Sequence, residues 1–335
     1  MYSDIPLWLS LVFVLVGLAV LAWSADTFIC AASAIARSLG VSPFVIGMVI
    51  IGFGTSAPEL CVSALSGMSG HSNLSLGNAY GSSIFNIACI LGISAIIRPL
   101  SVKPAIVFAA APALVAISIF SCLLVGMGGG FSRMDGILEL LVFAVLLPVY
   151  CWFDQKTNGK AGEHSGNDAE VSNTGGGSLV RAWTMLIVGL LLLVGSSQVL
   201  VWGCVDIART LGVSELLIGL TVVAVGTSLP ELASAVASAR RGEHEFVLGN
   251  IVGSNFFNTL AVVGLAGTIS PFKNASPYIV WRDLPTLVAL SLSIAAFGFN
   301  RRDWRAAGTI SRTKGMIWLL AFLAYTAFMI AQELN

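Results

Sequence analysis

Charge is what this 335-residue chain has least of: Asp, Glu, Lys and Arg together make up 10% of it, against about 25% in soluble domains. That scarcity excludes an ordinary soluble globular domain. The balance of 17 basic and 17 acidic residues leaves no basic surplus for a nucleic-acid partner. Histidine is scarce too. His71, His164 and His244 all fall in connecting stretches, and no nucleophile–base pair or zinc-ligand spacing emerges, so no enzyme class and no cofactor is indicated. The six cysteines are scattered through apolar segments without a C-x-x-C pair, which predicts buried free thiols acting as small hydrophobes. No basic residue precedes the first apolar segment, which argues against a cleaved signal peptide.

What the chain does have is apolar length. Hydrophobic residues make up 56% of it and the mean hydropathy is +0.90, the composition of a protein that crosses a lipid bilayer several times. A span needs about 20 mostly apolar residues. Ten such segments are predicted, at 6–30, 42–67, 73–97, 104–127, 134–153, 182–206, 214–239, 246–269, 282–299 and 314–332. The break between the fifth and sixth is Asp154–Ser178, polar and Gly-rich, which reads as a flexible cytoplasmic linker. Only Arg133, Arg209, Lys273 and Arg282 of the 17 basic residues fall on the N-terminal side of the membrane. By the positive-inside rule that side is outside, so both termini face out of the cell membrane.

The chain also repeats itself once. Gly54-Thr55-Ser56 is echoed by Gly226-Thr227-Ser228, an offset of 226 − 54 = 172. The same offset carries Pro58-Glu59-Leu60 to Pro230-Glu231-Leu232, Gly77-Asn78 to Gly249-Asn250, Gly81-Ser82 to Gly253-Ser254 and Asn86 to Asn258. Duplication explains this. Five spans in each unit place the second upside down relative to the first. The fold class expected is therefore an all-α membrane protein of ten transmembrane helices in two inverted five-helix repeats, 1–153 and 179–335, joined by the 154–178 linker.

Within the repeats two acids are out of place. Glu59 is the only charged residue between Val41 and Gly70, and Glu231 sits in the matching frame. A charge at the bilayer centre costs about 3 kcal/mol on insertion scales, and such residues mark function. Pro58 lacks an N–H, so the Gly54 carbonyl loses its helical partner, and a broken helix is expected at that point and at Pro230. Thr55 and Glu59 share a helix face with Ser56 beside them, as do Thr227 and Glu231 with Ser228. Ser82 and Asn86 are also four apart, as are Ser254 and Asn258. If pseudosymmetry brings these four segments together, they form a pocket of hard oxygens without sulfur or imidazole, suited to calcium or sodium. Small polar residues in membrane helices also serve as packing and interhelical glue. Asp26 and Asp206 read as interfacial or ion-paired, and Asp135 and Glu139, near the start of the fifth span, read as interfacial.

The paired segments GTSAPEL with GNAYGSSIFN, and GTSLPEL with GNIVGSNFFN, resemble the alpha-repeats of sodium/calcium exchangers in the cation/calcium exchanger superfamily. The resemblance covers both halves. It implies ten helices in two inverted fives, and calcium export driven by sodium entry through alternating access. It carries the calcium carboxylates onto Glu59 and Glu231, and the hydroxyl ligands onto Thr55, Ser56, Thr227 and Ser228. The sodium-site residues fall on Ser82, Asn86, Ser254 and Asn258, and the backbone-carbonyl ligands on Gly52 and Ala224. The implied partners are Ca2+, Na+ and the lipid bilayer, with a monomer as the working unit. Asn258 stands where potassium-dependent relatives carry aspartate, which argues against a potassium requirement. The short central segment leaves no room for the calcium-sensing domains of animal exchangers. The alternatives are a proton/calcium antiporter using the same two acids, which the GTSxPE form of the motif disfavours, and a cation channel.

Overall fold

The structure, a computed structural model, describes residues 6–68, 72–127, 130–158, 179–212, 224–271 and 275–333. It is helical almost throughout, because a backbone in lipid must satisfy its own hydrogen bonds. The first half holds α1 (Leu7–Leu39), α2 (Pro43–Thr55, with a π-helical turn at Gly47–Ile51) and α3 (Ala57–Met68). Next come α4 (Ser72–Phe85), which runs through a π turn at Asn86–Leu91 into α5 (Gly92–Ile97), and strand β1 (Leu100–Val102). A π turn at Ile106–Ala110 then leads into α6 (Ala111–Met127), followed by α7 (Arg133–Asn158).

The second half holds α8 (Leu179–Thr210), α9 (Ala224–Thr227), α10 (Leu229–Arg241), and α11 (His244–Phe256), which passes through a π turn at Phe257–Val262 into α12 (Val263–Ile269). A π turn at Ile279–Asp283 starts α13 (Leu284–Gly298), and strand β2 (Gly308–Ile310) precedes α14 (Arg312–Glu333). Among the described residues, eight helices are long and apolar enough to cross a membrane, or nine if α2 and α3 count as one bent span. The predicted span 214–239 is described only from residue 224, so its first part lies outside the described residues.

Several expectations need correction. Helix α1 continues to Leu39, nine residues beyond the predicted span, and ends where Gly40 adopts a left-handed conformation at φ 62°. Helix α7 runs five residues into the predicted linker; residues 159–178 lie outside the described residues. The chain is not purely helical, since β1 pairs antiparallel with β2. Cys30 and Cys61 are exposed rather than buried, on apolar helix faces.

Burial divides the helices. The most apolar 18-residue stretch of His244–Ile269 is wholly buried by protein, whereas only 11% of the corresponding stretch of Arg312–Gln332 is buried. Leu15, Val145, Leu191 and Leu320 project from α1, α7, α8 and α14, where lipid is as good a neighbour as protein. The β1–β2 pairing and the Lys103–Glu245 ion pair at 2.6 Å hold the 98–103, 242–245 and 300–310 loops on one side of the protein. Arg133 donates to the Thr268 carbonyl at 3.0 Å on the other side.

Two close backbone contacts organise the interior. Helices α1 and α8 run antiparallel: a Cβ on Gly17 would lie 3.0 Å from the Leu200 nitrogen, and one on Gly189 would lie 3.1 Å from Phe28. Gly17 with Gly189, and Phe28 with Leu200, are pairs at the 172 offset. Helices α2 and α11 meet backbone to backbone at Gly47, Gly52, Gly249 and Gly253; Gly253 lies against Met48, and Gly249 against Phe44. Gly253→Ala is therefore expected to destabilise the protein by about 1–3 kcal/mol through overpacking. Gly195→Ala, where nothing lies within 4 Å among the described residues, should be silent. Thermal unfolding in detergent compares the two, and equal effects contradict the contact.

Candidate ion-binding site

The predicted helix breaks are present. Ser56 leaves the helical conformation at φ −83°, ψ 4°, and Ser228 does so at φ −92°, ψ 10°. The axes of α2 and α3 differ by 45°. Because Pro58 and Pro230 lack an N–H, the Gly54 and Gly226 carbonyls have no helical donor. The Ser197 hydroxyl on α8 fills the second of these at 3.0 Å. Its repeat position is Ala25, which has no hydroxyl to offer Gly54.

Each break starts a new helix, and Glu59 and Glu231 lie in the first turns of α3 and α10, where the helix dipole favours an anion. Ser56-x-x-Glu59 and Ser228-x-x-Glu231 have the sequence form of a capping box. The serines do not bond within their own segment. Ser56 Oγ donates to Glu231 Oε1 at 3.1 Å, and Ser228 Oγ donates to Glu59 Oε1 at 2.9 Å. Each half of the chain therefore supplies the donor for the other half's acid. Both acids are fully buried, and among the described residues their Oε2 atoms have no hydrogen-bond partner. Among the described residues no Lys, Arg or His ion-pairs with either acid; the ion pairs lie elsewhere, at Lys103–Glu245, Arg241–Asp26 and Arg282–Asp283.

The other predicted residues gather around this crossing. Ser228 Oγ also reaches Ser82 Oγ at 3.2 Å, and Thr55 Oγ1 lies 3.0 Å from the Ile51 carbonyl and 3.3 Å from Asn250 Oδ1. Thr227 is buried beside the break. Ser254 lies at 3.5 Å from Asn250 Oδ1. Asn86 donates from Nδ2 to Asn255 Oδ1 at 3.2 Å, leaving its own Oδ1 without a partner, and neither polar atom of buried Asn258 has one. The Gly52 carbonyl accepts the Ser56 N–H at 3.1 Å, whereas the Ser228 N–H turns to the Val225 carbonyl rather than to Ala224. Buried polar groups are normally satisfied. Here four lone-pair acceptors, Glu59 Oε2, Glu231 Oε2, Asn86 Oδ1 and Asn258 Oδ1, are not. An all-oxygen acceptor set carrying two acids suits a cation of the hard type.

Sequence reasoning left out the residues that hold the acids in place. Asn78 Nδ2 donates to the Glu59 carbonyl at 3.4 Å and to Ser63 Oγ at 3.2 Å. Asn250 Nδ2 does the same to the Glu231 carbonyl at 3.3 Å and to Ser234 Oγ at 2.9 Å. The signal was available, since both follow a glycine at the 172 offset. Asp26 is ion-paired with Arg241 at 3.5 Å, and Asp206 accepts from Ser10. Asp135 caps the start of α7 through Ser132. Glu139 is not interfacial as expected but fully buried, accepting from Ser121 Oγ at 2.7 Å. Helix α7 turns this residue inward against α12.

Both halves of the chain are similar to known proteins. The family described as sodium/calcium exchanger protein matches residues 9–152 and 181–331. The chain is 37% identical over 320 residues to antiporter CaxA of Alkalimonas amylolytica, covering 94% of this chain and 96% of that one. It is 34% identical over 314 residues to inner membrane protein YrbG of Escherichia coli, covering 91% and 94%. A solved structure of the sodium-calcium exchanger NCX_Mj, soaked with 10 mM Na+ and zero Ca2+, superposes with a TM-score of 0.80 at 30% identity, covering 97% of this chain and 99% of that one.

Asn250→Ala removes two donated bonds and the acceptor facing Thr55, leaving buried groups unpaired at a cost of about 1–3 kcal/mol. Asn78→Ala, whose bonds are longer and half-buried, is expected to cost less. Melting temperatures in detergent rank the pair; the reverse order contradicts this assignment.

Proposed function

This chain belongs to the sodium/calcium exchanger family, and on that footing we propose that it is a secondary active antiporter exporting Ca2+ in exchange for Na+. The observation that carries this reading is the reciprocal pair Ser56–Glu231 and Ser228–Glu59, with an unpartnered carboxylate oxygen on each acid. Two desolvated carboxylates balance one divalent ion or a small number of monovalent ones, and a site that must be filled by one or the other couples their movements.

In this reading Glu59 and Glu231 are the calcium carboxylates. Thr55, Ser56, Thr227 and Ser228 supply hydroxyl oxygens, and the Gly52 and Ala224 carbonyls complete the cage. Ser82, Asn86, Ser254 and Asn258 supply neutral oxygens for Na+, which needs less charge compensation. The ions bind near the membrane midplane, between two inverted five-helix repeats spanning 1–153 and 179–335 with the 154–178 linker between them, ten membrane helices in all. Support comes from the antiparallel α1–α8 contact and from π turns recurring near the offset, at Asn86–Leu91 and Phe257–Val262, and at Ile106–Ala110 and Ile279–Asp283. Alternating access would expose the site to each side in turn. Both termini face outside the cell membrane. One chain supplies both halves of the site, so a monomer suffices, and no cofactor is required.

The test is calcium uptake into proteoliposomes under an imposed sodium gradient. Glu59→Gln or Glu231→Gln is expected to abolish uptake while the protein stays monodisperse. Near-normal uptake by either variant sinks the calcium site. Uptake driven by a pH gradient without sodium assigns proton coupling instead.

Alanine at Ser82, Asn86, Ser254 or Asn258 is expected to shift the sodium concentration giving half-maximal exchange more than the calcium concentration doing so. A shift confined to calcium removes the division of roles.

A further inference from the structure

Besides Asp283, which is ion-paired with Arg282, one more acid is buried among the apolar helices outside the ion site proposed above. Glu139 on α7 is fully buried, about two turns or 9 Å below the start of that helix at Arg133. Its Oε1 accepts from Ser121 Oγ on α6 at 2.7 Å, and Ser121 Oγ lies 2.7 Å from the Tyr80 hydroxyl on α4. Its Oε2 has no partner. The wall is tight: a Cβ on Gly264 of α12 would lie 3.1 Å from the Glu139 Cβ. Among the described residues no Lys, Arg or His forms an ion pair with it. Helix α12 and the Phe257–Val262 turn, which pack on α7, carry no titratable group. The titratable groups nearest it on the other packed elements are Tyr80 on α4 and Cys122 on α6, and on its own helix Arg133 and Asp135 lie within about two turns, while Tyr150, Cys151, Asp154 and Lys156 lie about three turns or more further along. Arg133 is directed away, to the Thr268 carbonyl.

An isolated carboxylate in such surroundings costs many kcal/mol and neutralises instead. The oxygens at hand, two hydroxyls already bonded to one another, are too few to replace a metal ion's hydration shell. A proton needs only one acceptor. Asp135, half-buried near the start of the same helix, is four residues before Glu139 on the same helix face and places a second acid between it and the Arg133 end. A reader of the charge is built in. With Glu139 ionised, Tyr80 donates to Ser121, and Ser121 donates to the carboxylate. With Glu139 protonated, the acid donates to Ser121, and Ser121 donates to Tyr80. Hydroxyl hydrogens rotate freely enough for this reversal. Tyr80 shares α4 with Asn78, which holds the Glu59 backbone, and with Ser82 at the crossing.

We propose that Glu139 is a proton-binding site separate from the exchange site, reached from the membrane face that carries Arg133 and Asp135, and that Ser121 and Tyr80 transmit its charge state to α4. The effect on exchange rests on the antiport reading above; the proton site itself does not. The site is tested first by infrared spectroscopy of the purified protein in proteoliposomes, as a function of pH. The wild type is expected to show a protonated-carboxyl band that fades as pH rises and is missing from Glu139→Gln. Tyr80→Phe should move the pH at which the band fades. If Glu139→Gln does not fold, Ser121→Ala keeps the acid, cuts the chain and must move the band in the same way. A spectrum unchanged by Glu139→Gln overturns the proposal, as does a Glu139 band constant across the whole pH range. Loss of that band on adding NaCl or KCl at constant pH assigns a metal cation and also overturns it.

Transport is then measured with pH varied on each side in turn. Wild-type exchange should depend on pH at the Arg133 face, and Glu139→Gln should lose that dependence while keeping its sodium and calcium dependence. Persistence of the pH dependence in Glu139→Gln overturns the link to α4. A wild type that shows no exchange under any gradient removes the antiport reading and leaves the infrared result standing.

Discussion

Two carboxylates held in the interior of a membrane protein, with no basic partner among the described residues, set the terms for the rest of the structure. Neither Glu59 nor Glu231 can be ionised there cheaply unless donors, dipoles or cations stand close. The protein gives each a serine hydroxyl from the other half and a place in a first helical turn, and among the described residues leaves the Oε2 of each without a hydrogen-bond partner. That is too little to satisfy two charges. The helix breaks at Ser56 and Ser228 follow from the same demand, because only a broken helix offers N–H dipoles and freed carbonyls at that depth.

The crossing can form only if backbones approach closely. Gly47 and Gly52 on α2 meet Gly249 and Gly253 on α11 with no side chain between them, and this brings Thr55 to Asn250. Around this centre the burial gradient is steep, from the enclosed α11–α12 to the lipid-facing α14. Peripheral helices need only be long and apolar, whereas central ones must carry small residues and polar groups in register. Asn78 and Asn250 link the two requirements, since each ties the backbone of an acid to the neighbouring helix.

Particular residues mark how far a reading of the chain reaches. Glu59 and Glu231 were legible because each stands alone in a long uncharged run, and the helix breaks were legible because proline states its own consequence. The 172 offset pairs Thr55 with Thr227 and Ser82 with Ser254 in the sequence alone. Glu139 was misplaced: proximity to a span end suggests an interface, but the side of α7 on which it lies faces α12. The thiols of Cys30 and Cys61 were misplaced for the converse reason, since an apolar neighbourhood in sequence is as compatible with lipid as with protein. The β1–β2 ribbon escaped notice because three-residue strands pairing across more than 200 positions leave no periodic signal.

The sequence by itself determined that the chain is a membrane protein built from a duplicated unit, and which oxygens carry the two unusual charges. Hydropathy, proline and internal repetition are properties of single positions or of one fixed offset, and need no partner to be read. Only the tertiary structure decided whom those groups meet. Ser56 and Ser228 could each have capped their own helix, and the local pattern favours that. Instead the close approach of α2 to α11 and the bend at each proline turn each hydroxyl toward the other acid, across more than 160 residues of chain. Which face of α7 is inward, and therefore that Glu139 is a further buried acid, was settled the same way, by packing against α12.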